Sequence, residues 1–135
     1  MKSDHLIEER MAASRYRLST DDDAIIRVQL SPDSRLTITE AESIVDEIKE
    51  LRKGQKAVVL TDITRHEGFT SDRETRDFLA HPDIGEIVNA CAILIGSPMG
   101  GFLGNFFLRI NKPPYKVRLF TSEKKAVEWL KKNIS

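Results

Sequence analysis

The segment from Ala90 to Ile134 constrains the fold of this chain more than any other. Its continuous apolar run, Cys91–Ile95, is typical of a strand that is buried on both faces of a parallel sheet. Phenylalanines then recur at helical spacing, and a Pro-Pro turn separates that predicted helix from a further strand. A closing helix follows, which Thr121 is predicted to cap and whose apolar stripe runs to Ile134. A strand–helix–strand–helix order of this kind predicts an α/β domain.

The rest of the chain extends the same pattern. Apolar and polar residues alternate over 24–30, which predicts a half-buried strand that pairs in a hairpin with residues 15–18. Thr39 and Glu42 are spaced as a capping box at the start of the next helix. The apolar run 57–60 predicts a second fully buried strand. The complete order, β-β-α-β-α-α-β-α-β-α, predicts a mixed sheet of about five strands with an opening β-hairpin and helices packed on the sheet.

The length and composition predict one globular domain. Of the 135 residues, 14–135 are expected to form that domain, and the polar tail 1–13 is expected to be poorly ordered. The single cysteine, Cys91, excludes an internal disulfide and suits a reducing compartment. The first residues lack the apolar core of a signal peptide, and no apolar run is long enough to span a membrane. We therefore expect a cytoplasmic protein with no integral membrane association.

The net charge is zero, but it is unevenly distributed along the chain. Residues 1–50 contain 7 Lys and Arg against 12 Asp and Glu, whereas residues 105–135 contain 8 against 2. The basic segment is either an ordinary solvated surface or one that attracts an acidic partner. Because the overall charge is balanced and no basic stripe is interleaved with aromatic residues, nucleic acid is not an expected partner.

Short signatures in the second half of the chain are similar to those of a known fold. They are Thr75–Ala80, Ser97–Leu108, Asn111–Pro113, Arg118–Phe120 and Ala126–Leu130. With them, residues 16–134 resemble a family of small bacterial proteins of uncharacterised function with a STAS/SpoIIAA-like fold, which is related in shape to the CRAL-TRIO domain. The resemblance implies a non-enzymatic regulatory module that binds a protein partner. We also expect a homodimer.

The resemblance also implies where a partner binds. STAS proteins of the anti-sigma-antagonist type use the loop after the third strand and the following helix, where a serine is phosphorylated. Here that position falls at Thr70 and Ser71, without the glycine and the preceding aspartate of the family pattern. In open α/β sheets, ligands bind at the carboxyl ends of the strands. The predicted partner-binding or regulatory residues of this strand-end rim are Asp62, Arg65, His66, Thr70, Ser71 and Ser97. Helix and loop capping is the alternative role of their hydroxyl and carboxylate groups.

A second hypothesis concerns the glycine-rich side of the predicted phenylalanine helix. Each glycine inside a helix costs up to about 1 kcal/mol relative to alanine, so a group of them requires a reason. Small residues allow another backbone or a flat ligand to approach closely. The candidate residues for a dimer contact or the wall of an apolar pocket are Gly100, Gly101, Gly104, Asn105 and Leu108. Since CRAL-TRIO relatives bind lipids in this part of the fold, the alternative function is a binder of a small apolar or lipid-like ligand.

Enzymatic activity is not expected from the sequence. Asp62 and His66 are close in sequence, but no nucleophile motif or second carboxylate at a metal-ligand spacing accompanies them. Ser97 precedes Pro98 at a predicted helix start, without the spacing of a P-loop or a dinucleotide fingerprint. We therefore expect no catalytic residues, no bound metal and no cofactor.

Overall fold

The structure, a computed structural model, describes residues 16–21, 23–31, 36–52, 54–64, 73–96 and 113–134. In these residues the elements are β1 (Tyr16–Thr20), β2 (Ile25–Leu30), α1 (Ile38–Leu51), β3 (Ala57–Asp62), α2 (Arg73–Leu79), α3 (Pro82–Gly85), β4 (Val88–Leu94), β5 (Lys116–Phe120) and α4 (Glu123–Lys131). The predicted α/β class is confirmed. The predicted tail 1–13 and the predicted phenylalanine helix lie outside the described residues.

The five strands form one mixed sheet in the order β1-β2-β3-β4-β5. β1 and β2 are antiparallel, with Tyr16 opposite Leu30, as the predicted hairpin requires. The pairs β2–β3, β3–β4 and β4–β5 are all parallel. The parallel pairs β2–β3 and β3–β4 each require a crossover connection, which explains why α1 lies between β2 and β3 along the chain and why α2 and α3 lie between β3 and β4.

Helices cover both faces of the sheet, which has a hydrophobic cluster on each side. The α1 face is the side against which α1 packs through its buried Ala41, Val45 and Ile48. The hydroxyl of Tyr16 also donates a hydrogen bond to Glu47, which ties β1 to this helix. The α4 face is the opposite side. Its core residues are Ile25, Val58, Leu60, Ala90, Ala92 and Leu94, together with Ala126 and Leu130 of α4.

Two helices are capped by different residues from those that the sequence predicts. α1 is capped by Thr37, not Thr39: the Thr37 hydroxyl accepts a hydrogen bond from the backbone N–H of Glu40 at 3.3 Å. α4 is capped by Ser122, not Thr121, and its hydroxyl accepts from the backbone N–H three residues later at 3.3 Å. At both sites two hydroxyl side chains lie close together in sequence. Packing decides between them, because the helix has to begin where its apolar residues meet the sheet.

The apolar stripe of the last helix is shorter than the sequence predicts. Ala126 and Leu130 are completely buried, but Ile134 is 42% exposed. The helix ends at Lys131, and the side chain of Asn133 then donates a hydrogen bond of 2.8 Å back to a carbonyl in the last turn. The helical periodicity therefore stops before Ile134 reaches the sheet.

Candidate functional site

The part of the α4 face that lies over β1 and β2 carries polar side chains. α4 packs mainly on β4, β3 and β5, and no described helix covers the β1 side of this face. The strand register brings the polar residues into rows. Arg17 lies opposite Gln29, and Gln29 lies beside Asp62, while Ser19 lies opposite Arg27 in the next row. We call the surface formed by Arg17, Ser19, Arg27, Gln29 and Asp62 the polar face.

The polar face is a shallow hollow rather than a flat sheet surface. Its volume is about 220 Å³, and Glu123 at the start of α4 forms one wall. Neighbouring strands lie about 4.8 Å apart, so Arg17 on β1 and Asp62 on β3 are separated by roughly 10 Å across the row. The row therefore presents a cation, an amide and a carboxylate in that order across three strands.

Arg27 is held in place by the hairpin turn. Its guanidinium donates to both carboxylate oxygens of Asp23 at 3.1 and 2.9 Å, and it lies 3.3 Å from a carboxylate oxygen of Asp21. The hydrogen bond from Arg27 lowers the pKa of Asp23, and the same bond raises the pKa of Arg27. Arg27 is thus already neutralised within the chain, whereas Arg17 is exposed and forms no ion pair with a described residue.

Asp62 stands at the carboxyl end of β3, where the sequence predicts the strand-end rim. One of its carboxylate oxygens accepts from the backbone N–H of Thr64 at 2.9 Å and from the Thr64 hydroxyl at 2.7 Å. These two hydrogen bonds are the loop capping that the sequence indicates as the alternative role of Asp62. The neighbouring strand end is close: a Cβ at Gly96 would lie 2.6 Å from the carbonyl oxygen of Thr64, so only glycine fits there. Asp62 also lines the hollow of the polar face, and both of these hydrogen bonds go to the same oxygen of its carboxylate.

The remaining predicted site residues are not placed by the structure. Arg65, His66, Thr70, Ser71 and Ser97 of the rim lie outside the described residues. The same holds for Gly100, Gly101, Gly104, Asn105 and Leu108. Of the predicted residues, Asp62 is therefore the one that the structure joins to other side chains.

Sequence reasoning missed Arg17, Ser19, Arg27 and Gln29 as site residues. The signal was present as an alternation in the hairpin, in which polar residues take every second position of both strands. Only the strand register shows that these positions adjoin Asp62, which is more than thirty residues away in sequence.

A second feature lies inside the α1 face. An apolar cavity of about 110 Å³ lies beside α1 on this face of the sheet, and Thr61, Cys91 and Tyr115 are the residues with polar side chain atoms among the described residues that line it. Burial raises the pKa of the Cys91 thiol to about 11, although a hydrogen bond with Thr61 acts in the opposite direction. Burial also raises the pKa of Tyr115, whose hydroxyl donates to the carbonyl of Leu79 at 3.1 Å. The glycine-rich segment, for which the sequence predicts the wall of an apolar pocket, lies outside the described residues.

In the described part of the chain, no three His, Cys, Asp or Glu side chains are grouped so that they would hold a metal ion. Within the same residues, no helix has the length and apolar character needed to cross a membrane.

Comparisons with known proteins identify a family and one solved structure of similar fold. The profile of a family described as a domain of unknown function, DUF7793, matches residues 18–134. No curated protein matches the chain. The fold is similar to the crystal structure of an uncharacterised protein from Shewanella loihica PV-4, described as a member of the DUF3478 family with a SpoIIAA-like fold. That protein is 17% identical, the match covers 85% of this chain and 91% of the other, and the TM-score is 0.57. The SpoIIAA-like fold predicted from the sequence is thereby confirmed.

Proposed function

We propose that this protein, which belongs to the DUF7793 family, is a non-enzymatic regulatory module that binds a protein partner through its polar face. The row of Arg17, Gln29 and Asp62 carries the proposal, because it places a cation, an amide and a carboxylate side by side on a sheet surface. Asp62 also joins this row to the strand-end rim, where the resemblance to STAS proteins locates partner binding.

The chemistry of the row defines what the partner has to present. The guanidinium of Arg17 is exposed, and it fits a carboxylate through two parallel hydrogen bonds. The second carboxylate oxygen of Asp62 accepts from a cation or a backbone N–H group of the partner. Gln29 between them both donates and accepts. Contacts of this exposed, ionic kind weaken as salt is added.

A second copy of the chain satisfies these requirements. If two copies meet with their rows antiparallel about a two-fold axis near Gln29, Arg17 of each copy faces Asp62 of the other. We therefore propose a homodimer in which the same pair of charges is used twice. Because the row itself is small, the contact has to extend over the neighbouring surface to reach the roughly 800 Å² per partner of a stable interface.

A charge-swap experiment tests whether the partner is a second copy of the chain. Sedimentation velocity at low salt is expected to show a dimer for the wild type and dissociation for Arg17→Asp or Asp62→Arg alone. The double variant restores the opposite charges and is expected to restore the dimer. A dimer that survives both single reversals, or a wild type that is monomeric at high concentration, contradicts the homodimer.

A capture experiment tests the polar face for a different protein partner. Lysate of the host cell is passed over immobilised wild type, Arg17→Asp, Asp62→Arg and the control Arg118→Glu. Arg118 is exposed on the same sheet face at the opposite edge, so the control changes charge without touching the row. The expected partner binds the wild type and the control but neither row variant. Equal capture by all four proteins would exclude the polar face as the binding surface.

A further inference from the structure

We propose that the cavity in the α1 face binds a small aromatic hydrocarbon-like molecule. The cavity measures about 110 Å³ and lies between α1 and strands β2, β3 and β4. Ile44, Val45 and Ile48 form its helical wall, and Val28, Val59 and Cys91 form its floor. This site is on the opposite face of the sheet from the polar face, so the inference goes beyond the proposed function and does not depend on it.

The polar atoms at the cavity wall are already bonded. The Thr61 hydroxyl lies 3.5 Å from the sulfur of Cys91, and the Tyr115 hydroxyl donates to the Leu79 carbonyl at 3.1 Å. Buried water requires two to four polar partners, which the described residues of this wall do not offer. An apolar occupant is therefore favoured over water, and a charged or strongly polar ligand is excluded by the cost of its desolvation.

The size and the wall chemistry define the ligand further. An engineered apolar cavity of about 150 Å³ in another protein stays dry and binds benzene, so a cavity of about 110 Å³ suits a ligand of about one ring. The sulfur of Cys91 makes favourable contacts with aromatic rings. The ring of Tyr115 offers an aromatic surface, against which a flat ligand packs edge to face or offset. Natural cores contain few voids larger than one water molecule, which also indicates a cavity that is kept for an occupant.

The test uses toluene as the probe and the single cysteine as an internal reporter. Toluene binding is followed by chemical-shift changes in ¹⁵N–¹H spectra of the full chain. Resonances of residues at the cavity, such as Val45 and Val59, are expected to shift in a saturable way. Occupancy is also expected to slow the alkylation of Cys91, because the probe covers the thiol. A titration without saturable shifts overturns the proposal.

Two variants that fill the cavity and one matched control that leaves it open show whether toluene binds at this site. Cys91→Leu places additional carbon atoms in the cavity and is expected to weaken toluene binding at least tenfold. Cys91→Ala leaves the space open and loses only the contact between sulfur and ring, so it is expected to weaken binding only about two- to fivefold. If Cys91→Leu does not fold, Ala41→Leu fills the cavity from the helical wall and carries the same expectation. Folded filling variants that bind toluene as tightly as the wild type overturn the assignment. Arg17→Asp is expected to bind toluene normally, so failure of the polar-face proposal is distinguishable from failure of this one.

Discussion

Neighbouring valines of β3 provide a direct test of the packing difference between the two faces. Val59 lines the cavity of the α1 face, whereas Val58 belongs to the core of the α4 face. Both side chains are buried, at 4% and 3% exposed. The same substitution, valine to isoleucine, therefore adds one methylene in two environments on the same strand.

The magnitudes follow from the cavity. The space of about 110 Å³ beside Val59 is larger than one methylene group, so an added methylene has room on this face. One buried methylene recovers about 0.8 kcal/mol, so Val59→Ile is expected to raise the free energy of unfolding by about that amount. Val58→Ile has no void to enter and is expected to lower the free energy of unfolding by about 1 to 3 kcal/mol through overpacking.

Urea unfolding followed by far-UV circular dichroism measures both variants against the wild type. The midpoint is expected to rise for Val59→Ile and to fall for Val58→Ile, with an unchanged slope that shows an unaltered unfolded state. The intrinsic strand preferences of valine and isoleucine are similar, so the comparison isolates packing. Equal destabilisation by both substitutions would refute the cavity as open space on the α1 face.

Three further predictions concern single groups. Because Ser122 is the cap of α4, Ser122→Ala is expected to lower the free energy of unfolding by about 1 kcal/mol in thermal or urea unfolding. Thr121→Ala is expected to change it little. Equal effects of the two substitutions would contradict this assignment. The pKa of Asp23 is lowered in the fold by the hydrogen bond from Arg27, so its stabilisation is complete above its ordinary pKa of 3.8 and is lost as the pH falls through the lowered value. Asp23→Asn should lack that loss in acid titrations of stability. With a pKa of about 11, the thiol of Cys91 should react with iodoacetamide at pH 8 on the order of 100-fold more slowly than an unburied cysteine, and a comparable rate would contradict its burial.

The strands were predictable because a strand that is buried on both faces has a continuous run of apolar residues in the sequence. The runs 57–60 and 91–95 are continuous and apolar, since both faces of β3 and β4 are covered in the fold. The hairpin is equally readable, because its outer residues face solvent and alternate with core residues. Such patterns depend only on the local surroundings of each residue, which is why the fold class follows from them.

The caps and the site depend on tertiary contacts that a local pattern does not contain. Thr37 and Thr39 both stand three residues before a glutamate, so only the position of the helix against the sheet selects Thr37. The polar face joins β1, β2 and β3 through their register, and the cavity joins α1 with three strands and Tyr115. Neither arrangement has a sequence spacing of its own.

The extent of α4 explains why a polar face exists at all. A helix is about 10 Å wide and strands are about 4.8 Å apart, so one helix covers two strands and borders a third. α4 lies over β4 and its neighbours, which leaves the β1 side of the sheet to solvent among the described residues. Polar side chains at Arg17 and Gln29 are then required by exposure alone, whatever the protein binds.

The order of the charges along the row, and not the polarity of the surface, is what indicates a binding function. This is why the charge swap between Arg17 and Asp62 is decisive: a merely solvated surface tolerates each single reversal, whereas a binding surface is restored only when both charges are exchanged.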